Sequence, residues 1–199
     1  PGTPGRGARD DSGPIQRRDR SHPVDPNVDR PARRHFKGSN MITIGIDPGK
    51  RGAVVALGAH GVAVRLLASC YAGPDLVPSL LVAALHDVRE AAGGGDVVVG
   101  VEVQQSMPRQ GLSSTFRTGA NYGRICGVVE ALGWPLHLLR PQAWRRDAGI
   151  TVSRGSDPKS ATIAAVAARL PEVDLLPGRT RKPHDGIADA AGIALALRP

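Results

Sequence analysis

Apolar runs and polar punctuation divide the chain from Met41 onward into short elements. Ile42 to Ile46 is an apolar run that stops at Asp47; Pro48-Gly49 then turns the chain and Ala53 to Leu57 leads away. This is the pattern of a two-strand hairpin with one acid where the first strand ends. Gly61 to Ala68 continues it as a third strand. Pro74 to Ala92 spaces its apolar residues helically over Leu80 to Val88, and Gly93-Gly94-Gly95 ends it. Asp96 to Val103, DVVVGVEV, is almost continuous valine with Glu102 near its end. Such a run marks a strand buried on both faces, in the middle of a mixed or parallel sheet.

Gln104 to Gly111 is polar and predicts a loop, and Ser113 to Leu132 predicts a helix with Gly119, Gly123 and Gly127 at four-residue spacing. Each glycine costs a helix about 1 kcal/mol relative to alanine, so the row predicts close approach of a neighbour. A helix or sheet of the same chain is the first expectation, and a nucleic acid or a second subunit the alternative. Trp134 to Leu139 predicts a short strand, Pro141 to Asp147 a loop or helical turn, and Asp157 to Leu170 a helix. Asp157 suits the N-cap of that helix and Pro158 its first position. After a flexible basic stretch, Pro171 to Pro183, the chain closes with HDGIADAAGIALAL, His184 to Leu197, apolar on all but its first turn. A helix that apolar is buried. The order is therefore three strands, helix, strand, helix, strand, helix, helix, an α/β chain.

The first forty residues differ in kind from this body. They hold few aliphatic residues and many Arg, Asp, Pro and Gly, too little apolar surface to offset chain entropy. Residues 1–40 are expected to be a disordered basic tail, an expression remnant or read-through of upstream sequence, and residues 41–199 to be one domain. The tail has nine Lys/Arg against five acids and the body seventeen against thirteen, so both share in the net charge of +8. A moderately basic domain with a basic arm suits a polyanionic partner. Cys70 and Cys126 have no metal-site spacing and form no disulfide framework, as expected of reduced core cysteines in an intracellular protein. No apolar run reaches the roughly 18 residues of a membrane span. The five aspartates of the tail argue against an organelle transit peptide, and a cytoplasmic location, in a bacterial or phage-infected cell, is expected.

Four acids stand at element ends: Asp47 after the first strand, Glu102 after the valine strand, and Asp185 and Asp189 one turn apart in the last helix. Asp47 alone is equally a turn former, because aspartate readily bonds the backbone of its own turn. Residues four apart share a helix face, so all four carboxylates converge if the first and fourth strands are neighbours and the last helix covers them. Four converging acids repel one another unless a divalent metal is bound, and hard oxygen ligands select Mg²⁺ or Mn²⁺. Two such ions about 3.5 to 4 Å apart are established machinery for in-line phosphodiester hydrolysis. His184 beside Asp185 is either a helix N-terminal residue or a contact to metal or scissile phosphate.

The segments IGIDPG (Ile44 to Gly49), VEVQ (Val101 to Gln104), the glycine-containing helix after them and HDGIADAAGIAL at the end resemble the RuvC-type Holliday junction resolvases of the ribonuclease H superfamily, most closely their phage and chloroplast branch. The resemblance covers nearly all of Met41 to Leu197. It implies a ribonuclease H-like nuclease domain, built on a mixed five-stranded sheet with three antiparallel strands followed by two parallel ones and flanked by helices. It also implies a homodimeric, Mg²⁺-dependent endonuclease, with Mn²⁺ as a substitute and two ions per site, that nicks four-way DNA junctions symmetrically and uses no nucleotide cofactor. Asp47, Glu102 and Asp189 match the family's catalytic acids. In the bacterial pattern the two helix ligands are three residues apart, and three before Asp189 is Gly186; Asp185, four before, takes the role, with His184 as its substitute.

The loop after Glu102 faces the junction in resolvases of this type. Its candidates here are Met107 as an apolar wedge between bases, with a core gap-filler the alternative, and Gln105, Arg109 and Gln110 as polar contacts. Arg117, Asn121 and Arg124 form a helix face suited to phosphates or to solvent, and Arg145, Lys159 and Lys182 complete the basic groups expected on DNA. Beside Arg145, Trp144 is either core or a stacking platform. Such groups position phosphates without reading sequence. Three rival functions are a related nuclease acting on RNA:DNA hybrid or flap DNA, a non-catalytic junction binder, and a sugar-kinase-like phosphotransferase, for which 159 residues are too few.

Overall fold

The computed structural model describes Gly2 and residues 40–105, 111–179 and 181–198. The chain divides into two units, Pro1–Pro31 and Ala32–Pro199, and every element below lies in the second. The expected disordered tail, and Met107, Arg109 and Gln110 of the loop after Glu102, lie outside the described residues.

Strands β1 (Met41–Ile46), β2 (Ala53–Gly58) and β3 (Gly61–Leu66) form the antiparallel part of the sheet. A 3₁₀ turn, Leu67–Cys70, takes the last residues of the predicted third strand. It leads into a small hairpin, β4 (Tyr71–Ala72) with β5 (Asp75–Leu76), for which two-residue strands leave no sequence period to read. Helix α1 (Pro78–Ala91) follows with Pro78 in its first turn, then β6 (Asp96–Glu102), α2 (Leu112–Ala131) and β7 (Leu136–Leu139). Residues 141–147 are helical, as α3 (Pro141–Asp147). In α4 (Pro158–Arg169) the Asp157 carboxylate accepts from Lys159 N and Ser160 N, the cap its sequence predicts. Helix α5 (Asp185–Ala196) ends the fold.

The sheet order is β3-β2-β1-β6-β7, with β1–β6 and β6–β7 parallel. This is the predicted mixed five-stranded sheet, with the first and fourth predicted strands adjacent. Strand alternation sorts the side chains. Ile42, Ile44, Ile46, Val97, Val99 and Val101 join the core shared with α1 and α2, whereas Ala53, Val55 and Leu57 join the core shared with α3, α4 and α5. Both faces are thus covered, and the helix named as buried from its composition lies under the second.

Helix α5 rests on the sheet backbone itself. A Cβ on Gly45 of β1 would stand 1.9 Å from Ala190 O and 2.5 Å from Ala194 N, and one on Gly100 of β6 would stand 2.7 Å from the Ile193 side chain. The row on α2 behaves oppositely: Gly119, Gly123 and Gly127 are exposed, and a Cβ on any of them meets nothing within 4 Å. The expected close contact within the chain is therefore absent there.

Gly45→Ala is expected to cost more than about 3 kcal/mol, because backbone atoms cannot yield as a flexible side chain would. Urea denaturation of the two proteins measures it; a loss below about 1 kcal/mol would contradict this packing.

Candidate active site

The register of the parallel pair sets the site. Ile46 pairs with Val101, so the next residues, Asp47 and Glu102, leave adjacent strand ends, and strict alternation from Gly45 and Gly100 turns both toward α5. Beyond Asp47 the chain closes a turn, with Gly52 N donating to Gly49 O at 3.0 Å and Asp47 N to Ala53 O at 3.1 Å. Gly49 has φ 138°, a conformation that favours glycine. Gly52 is glycine for a second reason: a Cβ there would lie 1.9 Å from Asp47 O.

Helix α5 supplies the opposite wall. A Cβ on Gly186 would meet Arg51 O at 2.6 Å and Asp47 Oδ2 at 2.9 Å, so the first turn of α5 touches the Asp47 carboxylate. That contact explains why a glycine stands three residues before Asp189, where the bacterial pattern has an acid. Asp185 lies at the rim, where its Oδ2 takes Lys159 Nζ at 2.5 Å and its Oδ1 accepts from Gly186 N at 3.1 Å. His184 is the N-cap: its Nδ1 accepts from Ile187 N at 3.2 Å, which commits that nitrogen to the helix.

The four acids act on one another electrostatically. Asp47 is pushed from 3.8 up to about 8, first by burial and then by Asp189, Glu102 and Asp185, with Lys159 opposing. Asp189 is pushed up to about 6, first by burial and then by Glu102, while Arg145 and Lys159 oppose. Asp185 is held below the usual carboxylate range, chiefly by the Lys159 hydrogen bond. The site thus holds two acids that resist ionisation and one that is stabilised ionised.

Two basic residues expected to face DNA are tied into this cluster. Lys159 stands on Asp185 with its side chain more than half exposed. Arg145 is a correction: it is drawn inward, 14% exposed, where NH2 lies 3.7 Å from Asp189 Oδ1 and Nε donates to Thr162 Oγ1 at 3.2 Å. Trp144, left open as core or stacking platform, is fully buried with Nε1 donating to Glu102 Oε2 at 2.9 Å. That bond was not legible in the sequence; the only signal was that a buried indole N–H needs an acceptor.

Asn121 is the second correction. It is buried, accepting from Leu76 N and donating to Pro74 O, both at 3.0 Å, so it pins the β4–β5 hairpin to α2. Arg124 pairs with Asp75 at 3.4 Å and donates to Leu76 O, bracing the same hairpin. Arg117, Gln105 and Lys182 are exposed. Arg117 lines a cleft of about 370 Å³ with Lys50, Tyr71 and Gln104, and the Pro48-Gly49 turn forms its edge beside Asp47.

The donor set, four carboxylates with two made unwilling to ionise by burial, suits a hard divalent cation. Among the described residues no three Asp, Glu, His or Cys side chains already stand in ligating geometry. Lys159, Arg145 and, on Asp185, Arg51 are cations that the chain itself sets against the acids.

The structure of T. thermophilus RuvC in complex with Holliday junction substrate is similar, with TM-score 0.50 and 18% identity over 78% of this chain and 91% of that one. A second Thermus thermophilus RuvC structure has TM-score 0.49, 20% identity, and coverage of 78% and 92%. The yeast mitochondrial Holliday junction resolvase Ydc2 has TM-score 0.45, 17% identity, and coverage of 80% and 77%. No protein-family model and no curated protein sequence matches. At these identities the likeness is one of fold: the chain has the ribonuclease H-like α/β fold of RuvC. Among the described residues no helix is long and apolar enough to cross a membrane.

Because Asp47 and Asp189 bind protons more tightly folded than unfolded, the metal-free protein gains stability from their protonated forms at low pH. It loses that stability as pH rises from about 4 toward about 8. In EDTA, Tm is expected to fall across this window, and Asp47→Asn to flatten the fall. If the substitution relieves one unit of the shift, about 1.4 kcal/mol, Tm at pH 8 rises by roughly 3 to 6 °C. Thermal melts against pH check this, and a Tm that climbs over the same window would contradict it.

Proposed function

We propose that the chain is a structure-selective endonuclease that resolves four-way DNA junctions by two-metal-ion phosphodiester hydrolysis, giving symmetric nicks. The observation that supports this reading is that Asp47, Glu102 and Asp189, carried by the end of β1, by β6 and by α5, act on one another electrostatically, with Asp185 and Lys159 beside them. The fold shared with a RuvC structure bound to a Holliday junction substrate supports the choice of DNA.

Asp47, Glu102 and Asp189 would hold the ions, with Asp185 as the fourth ligand. Its carboxylate is held ionised by Lys159, whereas the Nδ1 of His184, the substitute, is occupied as a cap. Bound Mg²⁺ or Mn²⁺ would supply an activated water and charge stabilisation at the leaving oxygen. Lys159 lies beside the acids with an exposed side chain, suited to pass from Asp185 to a phosphate oxygen. Arg117, Lys50 and Gln104 offer donors along the cleft beyond the Pro48-Gly49 turn, where the strand would continue. Met107 remains the proposed wedge.

The purified protein is expected to cut synthetic four-way junctions in Mg²⁺ or Mn²⁺, and Asp47→Asn to bind them while losing at least about 10³ in rate. Equal cutting of plain duplex, or an active Asp47→Asn protein, would sink the reading.

Symmetric nicks require two sites, and α2 offers a surface for a homodimer. Leu112 is 90% and Phe116 80% exposed, in line with the open glycine row. An unpartnered apolar face of this kind marks an interaction surface, and glycines let two helices approach closely. Gly123→Leu, at an exposed position where an added Cβ has no atom of the described residues within 4 Å, is expected to leave the fold intact and give monomers in sedimentation velocity. A dimer unaffected by both this substitution and Phe116→Glu would rule out the α2 face.

A further inference from the structure

The indole of Trp144 is placed with more care than packing requires. Glu102 pairs with Leu139 in the parallel register, and α3 begins two residues later at Pro141, so the β7–α3 connection carries Trp144 directly to the Glu102 carboxylate. The ring is fully buried, and its N–H has one hydrogen bond, to Glu102 Oε2 at 2.9 Å. Helix α5 is cut away to admit it: a Cβ on Gly192 would stand 2.6 Å from Trp144 Cζ3. The guanidinium of Arg145 lies 4.5 Å from the ring centroid on its way to Asp189, and is fixed from behind by Thr162, whose buried hydroxyl donates to Pro158 O at 3.0 Å. Two consecutive residues therefore serve two different acids.

We propose that Trp144 is a positioning residue that orients Glu102 toward the shared metal site, an inference that rests on the nuclease reading above. A neutral donor suits this task. An indole N–H cannot ionise, so it fixes one carboxylate oxygen without cancelling the negative charge that a divalent ion requires, whereas a lysine or arginine in its place would compete with the ion. The indole fixes Glu102 Oε2, and Oε1 is the oxygen assigned to the metal site. Partners that orient metal-ligating groups typically change metal affinity or activity by about 10–100-fold when removed.

The test is Trp144→Phe in the full chain, which removes the N–H and keeps an aromatic ring. Mn²⁺ affinity measured calorimetrically without DNA is expected to fall about tenfold or more, and kcat for junction cutting to fall similarly with KM for the junction unchanged. On a Glu102→Gln background the same substitution should change Mn²⁺ affinity no further. Replacing Trp144 by benzothienylalanine, which has nearly the same shape with sulfur for the N–H, should reproduce the loss where the phenylalanine variant folds poorly. Unchanged Mn²⁺ affinity in both variants, or an equal loss on the Glu102→Gln background, would overturn the assignment and make Trp144 a packing residue only. If Mn²⁺ affinity depends on Trp144 but no junction is cut, the junction reading fails and the positioning role stands. A wild-type chain that binds no Mn²⁺ overturns both.

Discussion

Everything at the site depends on how closely α5 lies on β1 and β6. A helix normally packs on a sheet through side chains, about 10 Å away. Here Gly45 and Gly100 remove the sheet's side of that layer, and Gly186 and Gly192 let the helix meet the Asp47 turn and the Trp144 ring. The acids at the strand ends and Asp189 on the helix are then drawn into a space that excludes much of the water. Burial is accordingly the largest cause of the upward shifts of Asp47 and Asp189. The cost of gathering unlike-to-ionise carboxylates is met elsewhere, by two continuous apolar cores on either face of the sheet.

Each acid has a different local partner, and the differences are chemical. Asp185 is given a mobile, exposed ammonium in Lys159, and Asp189 a guanidinium anchored by Thr162. Glu102 is given a neutral indole. Asp47, whose upward shift exceeds that of Asp189, has the backbone of its own turn and the first turn of α5 against it. In a cluster held in this way the edges are neutralised by cations of the chain while the central carboxyls resist ionisation, so a small divalent cation would favour their charged forms.

Among the described residues, the α2 side of the sheet carries no comparable cluster of interacting acids. Helix α2 is held to the hairpin β4–β5 by the buried Asn121 and by the exposed Arg124, both committed to partners in the same chain. That leaves Leu112, Phe116 and the glycine row outward. One helix thus braces the edge of the cleft beside Asp47 on one side and presents an apolar surface on the other, which links any contact made by α2 to the approach to the site.

The strands and the burial of the last helix were legible because they follow from local periodicity, as a valine run, a hairpin turn and an unbroken apolar helix show; the pairing of the first and fourth predicted strands was only a condition, which the strand order meets. The acids stood out for a related reason, since Glu102 and Asp189 interrupt apolar elements, whereas Asp47 alone was equally a turn former. Side-chain partners were not legible. Asn121 and Arg145 have the same sequence character as surface donors, and only the folded chain brought one to a backbone hairpin and the other to Asp189. The glycine rows show the division most clearly. Sequence marked the α2 row and passed over Gly45, Gly100 and Gly186, yet close approach occurs at the latter three, because what a missing side chain makes room for is decided by the element across the gap and by nothing in its own segment.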